Sequence, residues 1–218
     1  YKVNELDAKG NFVKKLKKLK PKIVFNALHG KYGEDGFVQS ILECLKIPYT
    51  HSGLLASALA MDKPMAKNLF AAAGIPVARH EIKSRQDILA GNIMAKPCVI
   101  KPSNEGSSVG VYILREGDNY QPFAENKWPF GKNVMVEEYI RGRELTVAVM
   151  HDRALAVTEI TTARGFYDYD AKYEHGGSTH IIPADIPASL CDQAKDYAIL
   201  AHEVLGCRGV SRADFRYD

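Results

Sequence analysis

The distribution of apolar and polar positions predicts alternating strands and helices in the first third of the chain. An apolar segment over residues 22–28 predicts a short strand, which leads into a glycine-rich turn over residues 29–36. Apolar residues then recur at helical spacing over residues 37–45. A second helix is predicted over residues 62–73, with Asp62 as its N-cap. This alternation is typical of an α/β lobe.

From about residue 76 the pattern changes to strands with one late helix, which is typical of α+β lobes. The segments over residues 144–150 and 154–160 are close enough to form a hairpin. A loop rich in glycine, tyrosine and aspartate covers residues 164–180. The late helix is predicted to begin at Ser189, as its N-cap, and to end at Gly206. The other predicted strands cover residues 98–102, 109–114, 134–140 and 209–215.

The composition is that of an ordinary globular protein. Hydrophobic residues make up 46% and charged residues 25%, which argues against a disordered chain or a coiled-coil rod. The formal net charge of +3 is too small to indicate a nucleic-acid partner. Five lysines near the N-terminus alternate with leucines, as on the solvent-facing side of a short helix. They are Lys14, Lys15, Lys17, Lys18 and Lys20.

Neither a membrane span nor a disulfide framework is predicted. No apolar stretch approaches the roughly 18 residues that suggest a spanning helix. The cysteines are far apart and form no C-x-x-C pair, which favours a reducing cytosol. They are Cys44, Cys98, Cys191 and Cys207.

A lysine and a glycine-serine loop follow the predicted strand over residues 98–102. Lys101 lies at the end of that strand, and the loop Ser103–Ser108 precedes the next strand. Backbone N–H groups, hydroxyl groups and an ammonium group are the donors that a phosphate needs. The segment is not a P-loop, because the G-x-x-x-x-G-K-[ST] pattern is absent. A flexible hairpin loop with a surface lysine is the alternative interpretation.

Two other strands place charged residues at defined positions. Glu137 and Glu138 are adjacent in a strand and therefore face opposite ways. Either both glutamates are exposed strand charges, or this strand offers backbone groups and a carboxylate to an adenine and a ribose. Arg212 and Asp214 share one strand face, where they either pair with each other or serve an oxyanion and Mg²⁺.

Two predicted loops contain further candidate functional residues. The segment Arg164–Tyr173 is unusually rich in aromatic residues. It is either a lid that excludes water or a loop packed on its own domain. His29 is either an ordinary loop histidine or a donor for a substrate carboxylate.

In their order along the chain, these motifs resemble the D-alanine–D-alanine ligase family of the ATP-grasp superfamily. The resemblance covers essentially the whole chain and implies an ATP-grasp fold, with nucleotide held between the central and C-terminal lobes. The implied lobes are a partial N-terminal substrate domain over residues 1–62, a central lobe over 63–140 and a partial C-terminal lobe over 141–218. The motifs are His29–Gly36, Ala56–Lys63, Lys101–Gly110, Glu137–Val147, Tyr167–Tyr173, Pro183–Ala184 and Arg212–Asp214.

The resemblance implies ATP-dependent joining of two D-alanines through an acylphosphate, for peptidoglycan precursors. The implied ATP-binding residues are Lys63, Lys101, Ser107, Ser108, Glu137, Tyr139, Ile140, Glu144 and Lys172. The implied substrate-binding residues are His29, Ser107, Tyr173 and Arg212. The implied catalytic residues are Arg212, Ser107, Tyr173 and Lys172, and Asp214 is the implied ligand of Mg²⁺ or Mn²⁺.

The chain departs from the family pattern at both ends. It lacks the glycine-rich N-terminal strand–turn with its glutamate and the Glu-x-Asn-x-x-Pro-Gly strand after Arg212-x-Asp214. Incomplete outer lobes and no turnover by the 218 residues alone are therefore expected. The resemblance also implies a homodimer in the bacterial cytoplasm. The alternatives are another ATP-grasp carboxylate–amine ligase, a D-alanine–D-lactate ligase, or a non-catalytic nucleotide-binding fragment.

Overall fold

The structure is a computed structural model that describes residues 2–106, 110–119, 123, 128, 131–162 and 177–218. Its helices are α1 (Phe12–Leu19), α2 (Phe37–Cys44), α3 (Leu54–Met61), α4 (Lys63–Ala72), α5 (Arg85–Leu89) and α6 (Ala188–Val204). Its strands are β1 (His80–Ser84), β2 (Cys98–Pro102), β3 (Tyr112–Leu114), β4 (Asn133–Glu138), β5 (Arg143–Met150), β6 (Arg153–Thr161), β7 (Thr179–Ile181) and β8 (Val210–Tyr217). Among the helices described, none combines the length and the apolar character needed to cross a membrane.

The N-terminal region is a small helical cluster. Leu16 of α1, the lysine-rich helix, packs against Val38 and Leu42 of α2, so the prediction that its lysines face solvent is confirmed. The predicted strand over residues 22–28 is wrong. Val24 makes only an isolated parallel bridge with Tyr49, because no other strand of the described residues lies beside this segment.

The first sheet is antiparallel, with strand order β1-β4-β2-β3. Its core contains Ile100 of β2 and Val134 and Val136 of β4, all fully buried with Ile88 of α5. β3 is shorter than predicted, because only three of its residues pair with β2. The charged ends of β2 and β4 emerge from this core, and they carry two of the candidate ATP-binding residues, Lys101 and Glu137.

The second sheet is also antiparallel, with strand order β7-β6-β5-β8. β5 and β6 form the predicted hairpin. Leu145 and Val147 on β5 pack against Ala194 and Ala198 on α6. Because side chains alternate across a strand, Thr146 lies on the face opposite this core.

The structure confirms one predicted helix boundary and corrects two others. Asp62 caps α4 by accepting a hydrogen bond from the Met65 backbone N–H at 3.0 Å. Ser189 does not cap α6, because the helix already begins at Ala188. The carbonyl of Pro187 accepts the hydrogen bonds that start this helix. The predicted loop over residues 164–180 ends earlier, since β7 adds an edge strand to β6.

Candidate functional site

A carboxylate bridges two lysines at the edge of the first sheet. Glu137, on β4, accepts a hydrogen bond through Oε1 from the Lys101 ammonium group on β2. Its Oε2 lies 2.7 Å from Nζ of Lys67 on α4. The Lys67, Glu137 and Lys101 side chains are only 12%, 14% and 21% exposed. We call these three residues the Glu137 cluster.

Helix α4 brings a third lysine to this cluster. Asp62 sets the start of the helix, so Lys63 and Lys67, four residues apart, lie on the same face. The backbone N–H of Lys63 donates to the carbonyl of Ser103 at 2.9 Å, and its ammonium group donates to the carbonyl of Glu105. The N-terminal end of α4 is therefore attached to the loop that follows β2.

The charges of the cluster are strongly coupled. Burial and the nearby charge of Lys101 lower the pKa of Lys63 to about 8. Burial also lowers the pKa of Lys67 below its ordinary value, despite its hydrogen bond to Glu137. Burial alone raises the pKa of Glu137, but Lys101 and Lys67 outweigh it and hold the pKa below its ordinary value. The Glu137 cluster thus holds two ammonium groups and one ionised carboxylate, with the Lys63 ammonium group close enough to feel the charges of Lys101 and Glu137, and this excess of positive charge suits an anion.

The turn that begins at His29 lies directly against the loop after β2. A Cβ atom added to Gly106 would lie 2.9 Å from Cα of Gly30, so the two backbones are too close for any larger residue. Lys31 and Glu105 add an ion pair at 3.6 Å. The predicted substrate turn and the predicted phosphate loop are therefore neighbours.

The predicted adenine and ribose contacts gather around one arginine. Arg216, on β8, donates to the carbonyl of Ile140 at 3.2 Å and to that of Gly142 at 3.0 Å. Its guanidinium group also contacts Glu144 at 3.3 Å and lies 6.0 Å from the ring centroid of Tyr139. These contacts connect the segment between β4 and β5 to the second sheet.

The second sheet presents a more exposed pair. Arg212 and Asp214 lie on one face of β8, 2.9 Å apart, and their side chains are 55% and 45% exposed. Thr146 on β5 donates its hydroxyl to Asp214 at 2.7 Å. The sequence left open whether this arginine and aspartate pair with each other, and in this structure they do.

The structure brings the predicted site residues into groups rather than leaving them scattered. Lys101 and Glu137 form an ion pair whose charges act on Lys63, and Tyr139, Ile140 and Glu144 all contact Arg216. Glu137 is turned inward, so the exposed-charge interpretation is wrong for it and holds for Glu138. His29 lies exposed at the start of its turn. Four predicted site residues lie outside the described residues: Ser107, Ser108, Lys172 and Tyr173.

Sequence reasoning missed two residues of these groups. Lys67 shares a helix face with Lys63 at the i, i+4 spacing, and this spacing could have indicated it. Arg216 continues the alternation that begins with Arg212 and Asp214, so it also points to the same strand face.

Asp214 does not by itself form a magnesium site. Mg²⁺ takes about six oxygen ligands, several of them water. The described ranges contain no group of three or more histidine, cysteine, aspartate or glutamate residues that could hold a metal ion. Asp214 offers one carboxylate of the right chemical type, so these residues fit a single ligand and not a complete site.

Comparison with known protein families shows which family these groups of residues belong to. The family described as "D-ala D-ala ligase C-terminus" matches residues 69–218, and "D-ala D-ala ligase N-terminus" matches residues 2–52. The chain belongs to the D-alanine–D-alanine ligase family. Both sheets and the Glu137 cluster lie in or next to the first of these matched ranges.

Individual relatives agree with the family assignment. The D-alanine–D-alanine ligase of Rhodospirillum rubrum is 56% identical over 207 residues, which are 95% of this chain and 68% of the relative. Among solved structures, the Bacillus anthracis D-alanine–D-alanine ligase complexed with ATP has a TM-score of 0.75 and 30% identity, and the match covers 95% of this chain and 69% of that one. The VanG D-Ala:D-Ser ligase of Enterococcus faecalis has a TM-score of 0.74 and 35% identity over 90% of this chain. This chain spans 60% of the VanG chain.

Proposed function

We propose that the protein containing this chain joins two D-alanine molecules at the expense of ATP, for peptidoglycan precursor synthesis. The observation that carries the proposal is the Glu137 cluster with Lys63, next to the loop that the His29 turn contacts. This arrangement puts an excess of positive charge beside a candidate substrate turn. Membership of the ligase family then selects this reaction among those that need a phosphate site.

The first step transfers the γ-phosphoryl group. A carboxylate oxygen of the first D-alanine attacks the γ-phosphorus, the bond to the β–γ bridging oxygen breaks, and an acylphosphate and ADP form. Lys63 and Lys101 bind the phosphates, because such transfers depend on positioning and neutralisation of charge. His29 lies near the first D-alanine. Ser107, Ser108 and Lys172 are proposed to assist in binding the phosphates.

The second step forms the amide bond. The amino group of the second D-alanine attacks the acyl carbon and gives a tetrahedral intermediate, which collapses with loss of a proton and of inorganic phosphate. Arg212 stabilises the negative oxygen of that intermediate, and its exposed position on β8 supports this role. Tyr173 is proposed to close the site, and Asp214 to supply one ligand of a Mg²⁺ or Mn²⁺ ion that neutralises phosphate charge.

Further expectations belong to the same proposal. Glu137 and the Tyr139–Ile140 backbone bind the adenine, and Glu144 binds the ribose. The lobes over residues 1–62, 63–140 and 141–218 are supported by three separate hydrophobic clusters, one in each range. The protein acts as a homodimer in the bacterial cytoplasm, with ATP and D-alanine as its small-molecule partners.

The test is product analysis with the full-length protein. Mg·ATP and D-alanine are supplied together with equal concentrations of D-serine and D-lactate, and the products are separated by mass. The expected main product is D-alanyl-D-alanine, with one ADP and one phosphate per dipeptide. A majority of D-alanyl-D-serine or D-alanyl-D-lactate would overturn the proposed substrate. Nucleotide binding without any ligation product would overturn the enzyme assignment.

A further inference from the structure

The Glu137 cluster contains one lysine to which the proposed reaction assigns no role. Lys67 makes a shorter contact to the carboxylate than an ordinary surface ion pair does, at 2.7 Å, and its side chain is the least exposed of the three. A buried ammonium group is costly unless it is paired, so Lys67 depends on Glu137. The dependence of Glu137 on Lys67 is the one that bears on ATP binding.

The three lysines differ in where they lie relative to the loop after β2. The backbone and side chain of Lys63 both donate to that loop, at Ser103 and Glu105. Lys101 lies two residues before Ser103 at the end of β2. Lys67 lies one helical turn, about 6 Å along the axis, beyond Lys63. Its ammonium group contacts Glu137, whereas that of Lys63 contacts the carbonyl of Glu105.

Lys101 has two competing partners in the proposed reaction. In this structure its ammonium group is bound to Glu137. Its three N–H donors allow it to bind a phosphate oxygen as well, but Glu137 then neutralises part of its charge. Without Lys67, Glu137 would depend on Lys101 alone for its ion pair and would stand as a mostly buried carboxylate near the phosphates, and both effects oppose binding.

We propose that Lys67 is a positioning residue that keeps Glu137 paired, so that Lys101 is free to bind the nucleotide phosphates. Lys67 itself does not contact the nucleotide. The inference rests on the proposed function for the role of Lys101, and it adds a residue outside the predicted site.

The test is a double-mutant cycle in the full-length protein, with the ATP dissociation constant measured by calorimetry. Lys67→Met should weaken ATP binding by about ten- to a hundredfold, the scale of one hydrogen bond to a charged group. Lys67→Arg should restore binding to within about threefold of the unchanged protein, since it keeps the charge. Lys132→Met, at an exposed position just before β4, is the matched control and should change nothing.

The second half of the cycle distinguishes an indirect from a direct role. In a Glu137→Gln background Lys101 is no longer held by a carboxylate, so Lys67→Met should have little further effect on ATP binding. If Lys67→Met costs as much there as in the unchanged protein, Lys67 contacts the nucleotide and the inference is wrong. Unchanged ATP affinity in Lys67→Met, or failure of Lys67→Arg to restore it, would also overturn the inference.

Steady-state kinetics gives an independent test of the role of Lys67. Lys67→Met should raise KM for ATP while kcat stays within about threefold, because only nucleotide binding depends on the pairing. A fall in kcat with unchanged KM would contradict the inference. Calorimetry with ATP needs no turnover, so the inference can fail or succeed even if the protein forms no dipeptide.

Discussion

The two sheets hold their charged side chains in contrasting ways. On the first sheet, the side chains of the Glu137 cluster are 12–21% exposed and connected by short contacts. On the second sheet, Arg212 and Asp214 are 55% and 45% exposed and lie 2.9 Å apart, and Thr146 donates a hydrogen bond to Asp214. A mostly buried network is costly to disturb, whereas an exposed pair contributes little to stability and can change partners easily. The proposed function therefore gives the preformed anion site to the first sheet and the groups that a reacting substrate engages to the second.

Glu137→Gln should produce the largest effect, because it removes the only negative charge of the cluster. The amide has the same shape, but it leaves Lys67 and Lys101 mostly buried without a carboxylate. The free energy of unfolding should fall by about 3–5 kcal/mol. Urea unfolding of the nucleotide-free protein measures this change.

Glu138→Gln is the control, since Glu138 is the exposed neighbour on the opposite face of β4. It should change the free energy of unfolding by about 0.5 kcal/mol or less. Equal losses for the two variants would mean that the Glu137 cluster is no more important to stability than a surface charge.

Arg212→Ala should act on the reaction and not on the fold. A donor to a developing oxyanion contributes most in the transition state, so kcat should fall by about 10²–10³-fold. The free energy of unfolding should change by less than about 1 kcal/mol, because the pair with Asp214 is exposed. Dipeptide kinetics and urea unfolding test the two statements.

Arg153→Ala, at an exposed position on β6, should leave both quantities unchanged. If Arg212→Ala raised only the KM for ATP, Arg212 would be a ground-state contact, and its proposed role would fail.

Lys101→Ala should weaken ATP binding by about ten- to a hundredfold, equivalent to about 1.5–3 kcal/mol for one contact to a charged group. The loss should be seen directly in calorimetric titration with Mg·ATP. Lys132→Ala is the control for removal of a positive charge. An unchanged dissociation constant in Lys101→Ala would remove Lys101 from the nucleotide site.

The smallest expected effect is a pH dependence that comes from Lys63. Its lowered pKa of about 8 means that the ammonium group loses its proton as the pH rises from 7 to 9. The charged fraction falls from about 90% to about 10% over that range, so kcat/KM for ATP should fall about tenfold. The charged groups that act on this pKa are Lys101, Glu105, Glu137 and Asp62.

Lys63→Arg should abolish this alkaline decline, because arginine stays charged throughout the range. A decline that persists unchanged in Lys63→Arg would assign the titration to another group. A pH profile of kcat/KM for ATP, recorded for both proteins, decides between these outcomes.

The sequence alone determined the features that depend on local periodicity and capping. The Asp62 cap of α4, the β5–β6 hairpin, the opposite faces of Glu137 and Glu138, and the shared face of Arg212 and Asp214 follow from spacing over a few residues. The motif order also determined the family, which the comparisons confirm.

The tertiary structure decided which of these local features meet. Spacing alone does not show whether Glu137 or Glu138 faces inward, because that depends on where Lys67 of α4 lies relative to β4. It cannot tell that residues 22–28 form no strand, because a strand needs a neighbour from elsewhere in the chain. Lys67 and Glu137 are 70 residues apart in sequence, and only the tertiary structure brings their side chains together. Burial of the Glu137 carboxylate between two ammonium groups is therefore a property of the fold. The segment around Glu137 does not itself contain the lysines that stabilise the buried charge.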